Sequence, residues 1–106
     1  MTTSAPPTPR PLDECTALQR DILILTAQHG AQSGKELMEQ LNGTYQLPDN
    51  EVSESRFYAH LDKLQQAGLM TAHERDGRTK EYQLTETGVR RLIDYAAWVS
   101  NCTGEL

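Results

Sequence analysis

A chain of 106 residues with 37% hydrophobic content and a formal net charge of -5 has material for one domain with a modest core. It lacks an apolar run near the ~20 residues of a membrane span and a basic-then-apolar leader, so a cytoplasmic protein with no membrane association is expected. Its two cysteines lie near opposite ends and its three histidines are scattered, with no phosphate loop or nucleophile elbow, so no enzyme, metal or cofactor is expected.

Residues 1–12 hold four of the five prolines, which predicts a flexible N-terminal arm before a domain over 13–106. Over 13–29, Leu18, Ile22 and Leu25 recur at helical spacing, while Leu23 and Ile24 widen the apolar stripe beyond one face. Gly30 stops that helix. Ser33-Gly34-Lys35-Glu36 has the residues of a capping box and opens a second helix, which Asn42-Gly43 ends. A loop around Pro48-Asp49-Asn50 follows.

The third helix, over 53–67, has the clearest start. Ser53 is suited to cap it, and Val52 and Phe57 have the spacing of a hydrophobic staple. Phe57, Leu61 and Leu64 make its buried stripe, leaving Ser55, Arg56, Ala59, His60 and Lys63 largely outside. Asp76-Gly77 between the strand-like runs 69–75 and 80–84 predicts a hairpin. Thr85 then caps a last helix reaching about residue 101. Helix, helix, helix, hairpin, helix is the order of a winged helix-turn-helix: mainly α with a small β-hairpin, a three-helix core, a two-stranded wing and a C-terminal dimerisation helix.

Charge follows this organisation. Residues 1–52 carry three basic and seven acidic side chains, residues 53–91 carry seven and six, and residues 92–106 carry two acids and no base. The one stretch that is not acidic is the stretch of the third helix and hairpin.

The run from Ser53 to Met70 resembles the third helix and first wing strand of PadR-like transcriptional regulators, through Phe57-Tyr58, Leu61, Leu64 and Gly68. Arg78-Thr-Lys-Glu-Tyr-Gln-Leu-Thr-Glu-Thr-Gly-Val resembles that family's basic wing and its Tyr-x-Leu-Thr-x-x-Gly, here Tyr82, Leu84, Thr85 and Gly88. The likeness covers roughly residues 16–100 and departs in the acidic surface and the single C-terminal helix. With three lysines against seven arginines and fifteen acids, the composition is similar to that of proteins from salt-loving archaea. The resemblance implies transcriptional control, and its haloarchaeal members imply a role in the oxidative-stress response, which no residue shows by itself.

In a helix-turn-helix the recognition helix enters the major groove. Arg56 is then the residue to read guanine, with Ser53 and Ser55 as short donors and Tyr58 and Lys63 near the DNA backbone. His60 shares that helix, and Lys35 sits at the positive end of the second helix, suited to a phosphate. Arg75, Arg78 and Lys80 form a basic wing around a flexible tip. The same cations also read as ordinary solvated charges, and Tyr58 as a core residue with its hydroxyl at the rim.

On the last helix, Val89, Ile93, Ala96 and Ser100 make one face, and Leu92, Tyr95, Trp98, Val99 and Cys102 another. A core this small covers one of them. The second face is expected to meet a partner copy, together with Leu18 and Ile22 of the first helix. Cys15 and Cys102 have no basic neighbour in sequence and read as structural rather than redox-sensing. The expected partners are double-stranded DNA and a second copy of the chain on a palindromic operator. Two rival readings are a winged-helix adaptor that binds protein, and a multidrug-type sensor whose ligand stacks on Trp98; the sequence names no effector.

Overall fold

The structure is a computed structural model that describes residues 10–45, 52–104 and 106. The elements run α1 (Ala17–His29), β1 (Gln32–Ser33), α2 (Gly34–Tyr45), α3 (Glu54–Gln66), β2 (Met70–Glu74), β3 (Lys80–Leu84) and α4 (Glu86–Thr103). Among the described residues no helix is long and apolar enough to cross a membrane.

Helix α1 starts later than residue 13. Thr16 caps it: its hydroxyl accepts the Gln19 N–H at 3.1 Å, and the Gln19 amide oxygen accepts the Thr16 N–H at 3.0 Å. The preceding residues form a turn in which Leu12, at φ 61°, is fully buried. An arm reaching residue 12 is therefore too long at its inner end; residues 1–9 lie outside the described residues. Arg20 holds the turn through its Nη1, which donates to the Cys15 carbonyl at 2.6 Å.

The Ser33 box forms as expected. Its hydroxyl accepts the Glu36 N–H at 3.1 Å, and Glu36 Oε1 accepts the Ser33 N–H at 2.9 Å. Helix α2 does not end at Asn42-Gly43 but runs to Tyr45, whose hydroxyl donates to Asp21 Oδ2 of α1 at 2.7 Å. That tie outweighs the poor helix propensity of Gly43. The expected loop at 48–50 lies outside the described residues. Ser53 caps α3, Phe57, Leu61 and Leu64 are buried, and Val52 joins them in the core.

The expected hairpin is β2 and β3, in the register Met70↔Leu84 to Glu74↔Lys80. A third strand was not predicted. The two residues of β1 pair antiparallel with β3, Ser33 opposite Glu81, giving the sheet order β1-β3-β2. Helix α4 leaves the sheet at Thr85, whose hydroxyl donates to the Gly68 carbonyl at 2.6 Å and accepts the Gly88 N–H at 2.9 Å. A Cβ on Gly88 would collide with the Leu69 carbonyl, so this position has room only for glycine. Three helices packed against a three-stranded sheet with a projecting β2–β3 hairpin make a winged helix-turn-helix.

Candidate nucleic-acid interface

Helix α3 is buried along Phe57, Leu61 and Leu64, so a helical count sorts its remaining residues into three rows. Ser55 and Ala59, both exposed, lie opposite the buried stripe. Arg56, His60 and Lys63 run along one edge, and Tyr58 and Asp62 along the other. Ser53 is used locally, its hydroxyl accepting the Arg56 N–H at 3.3 Å, while the exposed Arg56 guanidinium makes no ion pair among the described residues.

His60 does not face outward as expected for a DNA contact. Its Nδ1 lies 3.0 Å from Gln19 Nε2 of α1, and an amide nitrogen can only donate, so the imidazole is neutral and accepts. Burial holds its pKa below the ordinary histidine value, and the Arg56 and Lys63 charges lower it further. His60 thus ties α3 to α1.

The Tyr58 edge faces the wing. A groove of 560 Å³ between the start of α2, α3 and the hairpin is lined by Lys35, Tyr58, Arg75, Arg78 and Lys80 among others. The Tyr58 ring lies against Gly34 at the first position of α2 and meets Phe57 edge-on, with ring centroids 5.3 Å apart. Tyr82 forms another wall; burial pushes its phenol pKa up, and nearby Tyr58 and Asp62 push it further.

The wing tip is built by Asp76, whose Oδ1 accepts the Arg78 N–H at 3.2 Å and the Thr79 N–H at 3.0 Å, with Gly77 at φ 87°. These bonds hold the Asp76 carboxyl below its ordinary range. Arg75 departs from its expected role as a free wing cation, because its fork is occupied by Glu81 and Glu36.

The second surface also departs from expectation. Ile22 is fully buried in its own chain and cannot meet a partner, while Leu18, Leu92 and Tyr95 pack partly buried against that core. Tyr95 takes the Arg20 guanidinium 5.6 Å above its ring and stacks on Trp98 at 6.2 Å between centroids. Arg91 pairs with Glu14 nearby, its Nη2 donating to Oε1 at 2.8 Å. Tyr95 is therefore held within its own chain through Arg20, the residue that also holds the N-terminal turn. Val99 is half-buried and Cys102 exposed; Cys15 is buried, which pushes its thiol pKa up.

The open apolar surface spans both faces of α4, since Leu92, Tyr95 and Val99 of the expected face line a groove together with Ile24 and Ala96. Ile24 on α1 and Val89 and Ile93 on α4 are exposed by 42%, 44% and 62%. Two adjoining grooves along the α1–α4 seam share Ala27, Leu92 and Ala96. Sequence reasoning gave Ile24, Asp62 and Gly34 no place in a site, although Ile24 already widened the α1 stripe and Gly34 stood in the capping box. Helical phase would have found the first two; nothing local marks the third.

A winged helix-turn-helix with a cationic groove beside its third helix defines a class of transcriptional regulators. Residues 22–94 match the Transcriptional regulator PadR-like family, and the chain belongs to it. No curated protein matches the chain. Among solved structures, it is similar to RosR of H. salinarum at 32% identity, over 85% of this chain and 78% of that one, with a TM-score of 0.75. The structure of a complex, hsRosR-S1, matches at 33% identity over 83% and 75%, with a TM-score of 0.75. PcaV from Streptomyces coelicolor, in complex with its natural ligand, shares the fold at 18% identity over 84% and 58%, with a TM-score of 0.69.

Proposed function

We propose that this chain is a sequence-specific DNA-binding regulator that acts as a homodimer on a roughly palindromic operator. The observation that carries the reading is the groove, which gathers Lys35, Tyr58, Arg78 and Lys80 from α2, α3 and the wing. Those elements are otherwise separate in sequence, and an adaptor for protein partners has no need of cations converging there. Helix α3 enters the major groove with Arg56 paired to guanine O6 and N7 and the small Ala59 allowing close approach. Ser53, Ser55, Tyr58 and Lys63 lie along that helix, and Arg78 and Lys80 reach phosphates or the minor groove.

The second copy docks on the α1–α4 seam. Exposed Ile24, Val89 and Ile93 form an apolar strip on adjacent helices, and a twofold contact would bury the same strip from both copies. A role in the cytoplasm and in the oxidative-stress response, implied by the haloarchaeal resemblance, belongs to the same proposal; transcript levels of the controlled gene under peroxide test it. The test of DNA binding is a titration of the protein against a duplex from its own upstream region and a scrambled duplex of equal length. The upstream duplex binds at least ~10³-fold tighter if the reading is right. Equal affinity would make the chain a non-specific binder and overturn it.

A further inference from the structure

The densest charged cluster among the described residues lies at the base of the wing, beside the groove. Arg75 Nε donates to Glu81 Oε2 at 2.6 Å, and its Nη2 donates to Glu36 Oε1 at 2.8 Å. The same Glu36 oxygen accepts the Ser33 N–H, and Ser33 pairs with Glu81 across β1 and β3. Ser33, Glu36, Arg75 and Glu81 thus close a ring joining the start of α2 to both strands of the wing. His73 Nε2 adds to it at 3.4 Å from Glu81 Oε1.

We infer that Arg75 is a positioning residue for DNA recognition: it locks the wing against α2 and masks two carboxylates beside the groove, without touching DNA itself. The inference rests on the regulator reading above. Both partners' side chains remain partly exposed, Glu36 by 49% and Glu81 by 20%; without Arg75 the Glu36 charge lines the groove unmasked, with the Glu81 charge close behind it. A phosphate approaching Lys35, Arg78 and Lys80 would then meet the Glu36 anion in the groove wall and feel Glu81 beside it. Arg75, then the Ser33 N–H and hydroxyl, hold Glu36 at a pKa of about 2, and a glutamate without them is still ionised near neutral pH, so only a cation can silence it. Arg75 has the fork geometry for two acceptors at once, which lysine lacks.

The test is a double-mutant cycle on one operator duplex. Arg75→Gln is expected to weaken binding about tenfold, a size ordinary for one coupled charge pair. In a Glu36→Gln, Glu81→Gln background, where glutamine at 36 still completes the capping box, the same change is expected to cost less than about twofold. Amide exchange at Thr79 and Lys80, read without DNA, is expected to quicken in Arg75→Gln. An equal loss in both backgrounds makes Arg75 a direct phosphate contact and overturns the inference, as does no loss in either or unchanged exchange. Should Arg75→Gln fail to fold, Arg75→Lys runs the same cycle. A wild-type chain that binds no duplex overturns the regulator reading as well, whereas equal losses overturn this inference alone.

Discussion

The ring of Tyr58 lies so close to Gly34 that a Cβ there would sit 2.8 Å from its Cε1. Glycine at the start of α2 is what lets the Tyr58 ring line the groove. Gly34→Ala should cost little stability, because alanine favours the helix and the half-exposed ring can swing aside. DNA affinity should fall with the displaced ring, by about 1 kcal/mol, the worth of one ordinary hydrogen bond. Thermal melts and duplex titrations check both halves. In a Tyr58→Ala background Gly34→Ala should have no further effect on binding; a persistent loss would mean that Gly34 itself meets the DNA.

The dimer is expected to depend on Ile93 more than on Trp98. Ile93 stands 62% exposed beside Val89, while Trp98 stacks on Tyr95 of its own chain. Ile93→Asp places a charge on an exposed helical site, so folding survives, but association should lose 2 kcal/mol or more, roughly, if the seam is the interface. Light scattering at micromolar concentration shows it as a monomer beside a dimeric wild type. A dimeric Ile93→Asp with a monomeric Trp98→Ala would move the interface to the Tyr95 and Trp98 side of α4.

His60 makes stability depend on pH. Its folded pKa lies below the ordinary value of 6.5, so between the two values the unfolded chain binds more protons. The His60 contribution is therefore complete above that ordinary value and is lost as pH falls through the window beneath it. Melting temperature should drop on acidification from about pH 7.5 to about pH 5.5, before carboxylates titrate. His60→Gln should flatten this stretch; if its profile parallels the wild type's, the Gln19–His60 tie contributes no pH dependence.

Local signals were legible because each closes within a few residues. The Ser33–Glu36 box, the Ser53 cap, the Asp76-Gly77 turn and the Thr85–Gly88 cap depend on neighbours in sequence and formed as expected. The misses depend on distant partners. Helix α2 passes Asn42-Gly43 because Tyr45 reaches Asp21, and β1 is two residues long, with no alternation to detect. Arg75 reads as a free cation in sequence since Glu36 is 39 positions away. On α4 both faces are apolar, and Tyr95 is drawn to its own chain by Arg20, a residue of α1 that α4's sequence pattern does not reveal. A proline-rich segment gives no warning that its last leucine is buried.

Salt should affect this protein unlike a basic regulator. A net charge of -5 per chain, doubled in a dimer, repels DNA at low ionic strength. The Debye length falls from about 10 Å at 0.1 M to about 3 Å at 1 M, which quenches distant acids and spares short contacts. Specific binding should persist in molar potassium salt with a flat or rising slope. Fluorescence anisotropy across that range checks it; a steep fall would show that counterion release dominates, as in ordinary regulators.

The central claim, that two copies read DNA through α3 and the wing, is tested most directly by chemical footprinting on the bound upstream duplex. Two protected major-groove segments about 10 base pairs apart, or a multiple of one turn, related by a twofold axis, are predicted. Arg56→Ala should uncover one guanine in each half-site, at a cost of about 1–3 kcal/mol on the matched site. A single protected segment, or protection that Arg56→Ala weakens evenly at every position, would contradict the account.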